Sequence, residues 1–262
     1  MKTIERNIVV VTILLISYFM LISHSIAAPV YSVVNTPHNL ANGQTVEKQV
    51  CVFCHTPHNS GKEGPLWNKA SKAGGFKMYT SSSTLTSAAK GSTLTANSPS
   101  LLCLSCHDGK TAMNVLHSST NKSAVDAASV GATGYPAGSV LLPVLGNNSE
   151  YLMDGPQPDI VNGGMLPDLR VGIDDLTNDH PIGFSYIDAY NEELSKNGLN
   201  DYNGMDPAVR LFGSTKRIEC SSCHNPHIDT DQTNAATPGA TYSDFLAVDN
   251  KGSALCLTCH NK

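Results

Sequence analysis

Apolar residues run together once in this chain and are then scattered. Ile8 to Ser23 is an uncharged, mostly apolar run behind Lys2 and Arg6, and Ser25-Ile26-Ala27 follows it. A positive start, an apolar middle and small residues at the end form the pattern of an export signal, with cleavage after Ala27 because Pro29 sits badly just past a cut at Ala28. An uncleaved anchor is the rival reading, but the stretch is about 15 residues long where a span needs about 20. No later run is long enough to cross a membrane, so none is expected once the signal is removed. Ser98-Pro99 is a helix start, predicting a short helix over Leu101 to Cys106, with an equivalent from Ser253 to Cys259. Tyr186 to Leu194 is a third helix candidate. Ser81 to Ser100 is Ser/Thr-rich and reads as a low-complexity loop. Asn121 to Asp179 is crowded with turn residues and reads as connection, with one or two short strands at runs such as Val140-Leu-Leu and Val144-Leu.

Composition explains why so little regular structure is expected. Charged residues are 15% of the 262, against about 25% in soluble domains. Aromatics are only 6%, with one Trp, while Gly (21) and Pro (14) are plentiful. Such a chain has too few large apolar side chains to fill a core of its own. The net charge of −5, or −6 without the first 27 residues, excludes the clustered Lys/Arg of a nucleic-acid binder. Asp174/Asp175 reads as a solvated turn, and no catalytic residue is assigned.

The eight cysteines supply what the core lacks. In an exported chain they first suggest disulfides, but they fall into four pairs, Cys51/Cys54, Cys103/Cys106, Cys220/Cys223 and Cys256/Cys259. Each pair has two residues between its members and a histidine directly after it: His55, His107, His224 and His260. C-x-x-C-H is the attachment motif of c-type haem. Two thiols one turn apart form thioethers to the two vinyl groups on one porphyrin edge, and the next residue carries its imidazole to the iron. The expected cofactors are four covalently bound haem c. A pair of zinc ribbons is the rival, but zinc has no need of a histidine after every second cysteine.

Beyond His24, which leaves with the signal, five histidines remain: His38, His58, His117, His180 and His227. They expose an internal repeat. The first half runs His38, Cys51-Val-Phe-Cys-His-Thr-Pro-His58, Cys103-Leu-Ser-Cys-His107. The second runs His180, Cys220-Ser-Ser-Cys-His-Asn-Pro-His227, Cys256-Leu-Thr-Cys-His260. Each half then holds two proximal and two spare histidines, enough for bis-His ligation of two irons. Each spare also has a bland reading as a surface residue. His58 and His227 sit three residues past a proximal histidine and cannot easily wrap around their own ring, so each is expected to reach another haem. His117 has no counterpart and is not assigned as a ligand. Met78, Met113, Met153, Met165 and Met205 read as packing or loop rather than as axial ligands. The expected organisation is a signal peptide (1–27), a first di-haem half (28–117), a cysteine-free connection (118–174) and a second di-haem half (175–262). The expected fold class is a multihaem cytochrome c, mostly loops with a few short helices and little strand, wrapped around four covalent haems.

Cys-Val-Phe-Cys-His-Thr-Pro-His-Asn (51–59), Pro-Leu-Trp-Asn (65–68), Cys-Leu-Ser-Cys-His-Asp-Gly (103–109), Asn-Asp-His-Pro-Ile-Gly-Phe-Ser-Tyr (178–186) and Gly-Ser-Ala-Leu-Cys-Leu-Thr-Cys-His (252–260) resemble the doubled-CXXCH tetrahaem cytochromes of metal-respiring bacteria. The resemblance runs from about His38 to the C-terminus and extends to the outer-surface members that polymerise into conductive filaments (nanowires). It implies bis-His haems stacked in a continuous chain, with one axial histidine donated by a neighbouring subunit. The expected function is extracytoplasmic electron transfer, in the periplasm, at the cell surface or in an extracellular filament. Expected partners are other multihaem cytochromes or extracellular acceptors, with a homopolymer as one form. The alternative is a multihaem reductase with one open iron and nearby proton donors. Five spare histidines for four irons argue against an open site.

Overall fold

The computed structural model describes residues 33–36, 38–41, 47–61, 64–70, 74–108, 111, 113–130, 137–142, 174–177, 179–193, 198–228, 245–248 and 250–261. They lie within one compact unit, Ser32–Lys262. The expected signal segment and Val144-Leu fall outside the described residues.

Five α-helices occur among the described residues: α1 (Ser87–Lys90), α2 (Ser100–Cys103), α3 (Tyr186–Glu193), α4 (Cys220–Cys223) and α5 (Ala254–Cys259). Between them lie two-residue strands, β1 (Lys77–Met78), β2 (Val115–Leu116), β3 (Val125–Asp126), β4 (Val140–Leu141), β5 (Asp175–Leu176), β6 (Phe184–Ser185) and β7 (Arg217–Ile218). β4 runs antiparallel between β2 and β3, β1 pairs β5 in parallel, and β6 pairs β7 antiparallel with Phe184 opposite Ile218. Asp175 accordingly faces Lys77 across the β1–β5 pair at 3.3 Å, on the surface.

α3 and α5 fall where the sequence places them. α2 ends earlier than expected, at Cys103, and Leu104 to Cys106 continue as a turn. α1 overturns the expectation of an unbroken loop from Ser81 to Ser100. Its first amides need partners that no neighbouring residue supplies in full. Thr86 Oγ1 accepts from Ala89 N, and the Glu192 carboxylate of α3 accepts from Ser87 N (2.6 Å) and Ala88 N (2.9 Å). The helix therefore depends on a residue more than a hundred positions away.

Three small cores result among the described residues, the smallest of them Val115, Ala127 and Leu141. Of the larger two, one gathers Ala41, Val52, Phe53, Leu116 and Leu142, with Cys54 packed against it. The other gathers Ala89, Phe184, Tyr186, Ala189 and Ile218, with Cys259 at its margin. Gly183 joins β6 to the α1 region. It adopts φ +74°, and a Cβ there would stand 2.7 Å from Thr93 O. Only glycine fits that approach.

Candidate functional site

The four cysteine motifs share one local geometry. In each, the histidine N–H donates to the carbonyl of the first cysteine: His55 to Cys51 (2.7 Å), His107 to Cys103 (3.0 Å), His224 to Cys220 (3.0 Å) and His260 to Cys256 (2.9 Å). One helical turn thus sets both thiols on one side and releases the histidine at its end. All eight cysteines are free of disulfide bonds. Burial holds several as protonated thiols, pushing Cys54 up to about 12 and Cys259 up to about 11.

The first and third motifs are also strapped alike by a distant segment. Thr56 N donates to Leu66 O and Asn68 N to Cys54 O; in the second half Asn225 N donates to Phe245 O and Ala247 N to Cys223 O. His55 bridges Trp67, and His224 bridges Leu246. Leu66 and Phe245, neither a glycine, share a positive φ of 57° and 56°. Leu66-Trp67-Asn68-Lys69 is therefore the structural mate of Phe245-Leu246-Ala247-Val248. Sequence reasoning found Pro-Leu-Trp-Asn only through resemblance and missed its mate, since the two straps share backbone bonds rather than residue types.

The histidines meet in pairs. Ring centroids are 6.2 Å apart for His38–His107, 6.0 Å for His55–His227 and 6.3 Å for His180–His260. An imidazole centroid stands about 3.2 Å from a metal bound at Nε2, with about 2.0 Å of that being the metal–nitrogen bond. Two imidazoles facing each other across one metal atom are therefore about 6.4 Å apart, close to all three pairs. Tautomers agree with this arrangement. His38 Nδ1 lies 3.3 Å from Pro226 O, His55 Nδ1 2.9 Å from Pro65 O and His180 Nδ1 2.9 Å from Pro181 O. A carbonyl only accepts, so each Nδ1 carries the proton and each Nε2 keeps a lone pair for a metal. Burial pulls His107 down to about 4, and His38 beside it adds to the effect. His38 and His227 are lowered chiefly by burial as well.

No group of three or more His, Cys, Asp or Glu side chains among the described residues is arranged to hold a metal ion. Pairs suffice for haem, because the porphyrin supplies the other four nitrogens, and in this respect the donor set fits that group. His58 and His224 are exposed, and His224 lies near His38 and His107. His117 donates its backbone N–H to Asn68 O (2.7 Å) and takes part in none of the three pairs.

The cysteines also adjoin one another in chain order. Cys54 lies near Cys106, Cys103 near Cys220 and Cys223 near Cys256. Between α2 and α4 the join is a buried polar network. Glu219, 1% exposed, accepts from Ser98 Oγ and from Ser100 Oγ (2.6 Å), and Arg217 Nε reaches its other oxygen at 3.2 Å. Ser100 Oγ in turn accepts from Cys220 N at 2.9 Å. No protein-family model matches the chain, and no curated protein does.

Proposed function

We propose that this chain is an exported tetrahaem c-type cytochrome, an electron-transfer protein rather than an enzyme. The observation that carries the reading is the three histidine pairs at 6.0–6.3 Å, each joining a C-x-x-C-H histidine to a spare one. Haem, when bound, supplies one-electron Fe(III)/Fe(II) chemistry. The protein does the rest. Cys51/Cys54, Cys103/Cys106, Cys220/Cys223 and Cys256/Cys259 tether, His55, His107, His224 and His260 ligate from one side, and carbonyls of Pro65, Pro181 and Pro226 orient three of the rings.

The repeat assigns the opposite ligands. His38–His107 and His180–His260 are mates, each within one half. His227 crosses to His55, so its mate His58 crosses to His224. Every iron then has two imidazoles, which leaves no open position for a reductase. The closeness of Cys54 to Cys106, Cys103 to Cys220 and Cys223 to Cys256 supports a row in motif order. His58 and His224 are both exposed. The same ligation closed between copies, His58 of one on the iron of the next, is head-to-tail and builds a filament. Its partners are other multihaem cytochromes or extracellular acceptors.

Mass spectrometry of protein matured in a competent periplasm tests the reading: four additions of about 616 Da, the mass of one haem, at the four motifs. The visible spectrum should be fully low-spin. Absence of covalent haem defeats the proposal, and a high-spin fraction that binds CO favours the reductase.

A further inference from the structure

The repeat is broken at a buried charged position. Lys69 ends the first strap and is 1% exposed; Val248 holds the same place in the second. Lys69 Nζ donates to Met113 O (2.7 Å) and Val115 O (2.9 Å) and lies near the Cys106 sulfur. It also lies beside Cys54. Both carbonyls only accept, which suits the –NH3+ of a lysine, a group with donors and no acceptor. The charge is thus held between the second cysteines of the first two motifs. Asp108 opposes it at Cys106, but its carboxylate is taken up by Thr111 N (2.7 Å) and Thr111 Oγ1 (2.6 Å).

A ferric bis-imidazole haem has one net positive charge at its core and the ferrous form none, so a nearby buried cation favours the form with the added electron. We propose that Lys69 sets the potential of the first two haems, drawing electrons toward that half and away from the half where Val248 stands in its place. The inference rests on the four-haem reading. The step is a single electron per iron, given by a neighbouring haem or an external reductant, with no bond or proton transferred.

Spectroelectrochemical titration of the mature protein, with each haem assigned by paramagnetic NMR, tests it. Lys69→Val should shift the reduced-to-oxidised ratio of the haems at Cys51/Cys54 and Cys103/Cys106 at least tenfold toward oxidised, about 59 mV for a one-electron couple. The second pair should move less than twofold, and Lys69→Arg should restore the first. Val248→Lys should raise the potential of the haem at Cys220/Cys223. In the wild-type protein itself, the first pair should titrate higher, which keeps a test if a variant fails to mature. Unchanged potentials in a variant with four low-spin haems, or the reverse wild-type order, overturn the proposal alone. Absence of haem from the wild type overturns it together with the earlier reading.

Discussion

On the four-haem reading a proton and an iron compete for the same lone pair on Nε2, and burial biases the contest. His107 is held at about 4 because its protonated form would be a desolvated cation with His38 alongside. Protonation, the step that would displace the metal, is therefore disfavoured across the range in which an ordinary histidine of 6.5 titrates. On acidification from neutral pH the low-spin spectrum of the His38–His107 haem should persist below 6.5 and be lost only near or below about 4. A visible-range pH titration checks this, and loss of that haem's bands near 6.5 would contradict it. Replacing His38, His180 or His227 singly with Ala should convert one haem in four to a high-spin form, while His117→Ala should leave the spectrum unchanged. The four C-x-x-C-H turns were legible because their spacing is fixed, and each closes with the same histidine-to-cysteine backbone bond. The partner of each was not, since His227 reaches His55 through tertiary structure that no local pattern encodes.

Among the elements, short helices persist here because something outside them completes their ends. α3 and α5 were readable from their own residues, as was the start of α2 at Ser98-Pro99. α1 was not, because Glu192 caps it from afar. The straps were hidden for a similar reason, their likeness lying in carbonyls and amides that any residue carries. Glu219 joins α2 to α4 through two serines and Arg217. Glu219→Ala leaves those donors unpaired but lets the partly exposed Arg217 keep its bonds to Thr93 O and Gly183 O. The expected loss is about 2–3 kcal/mol, read by denaturant unfolding of the holoprotein. Gly183→Ala puts a Cβ 2.7 Å from a backbone oxygen at positive φ, and should cost about 1–3 kcal/mol in the same measurement.

For the whole molecule the question is whether the fourth site closes within a copy or between copies. Electron microscopy of the native material answers it: filaments accompany shared ligation, and a monodisperse monomer with four bis-His irons excludes it. A His58→Ala variant should dissolve such filaments without removing the His38–His107, His55–His227 or His180–His260 pairs. The two larger of the small cores have a different consequence. On the four-haem reading each has a tethering cysteine packed against it, Cys54 at one and Cys259 at the other, and only five buried residues of its own, a small core to stand without the cofactor. On that reading biogenesis runs in a fixed order, with ligation onto an open chain first and folding afterwards. In a host without the attachment machinery, the polypeptide should be cleared by proteases rather than accumulate as a stable haem-free form.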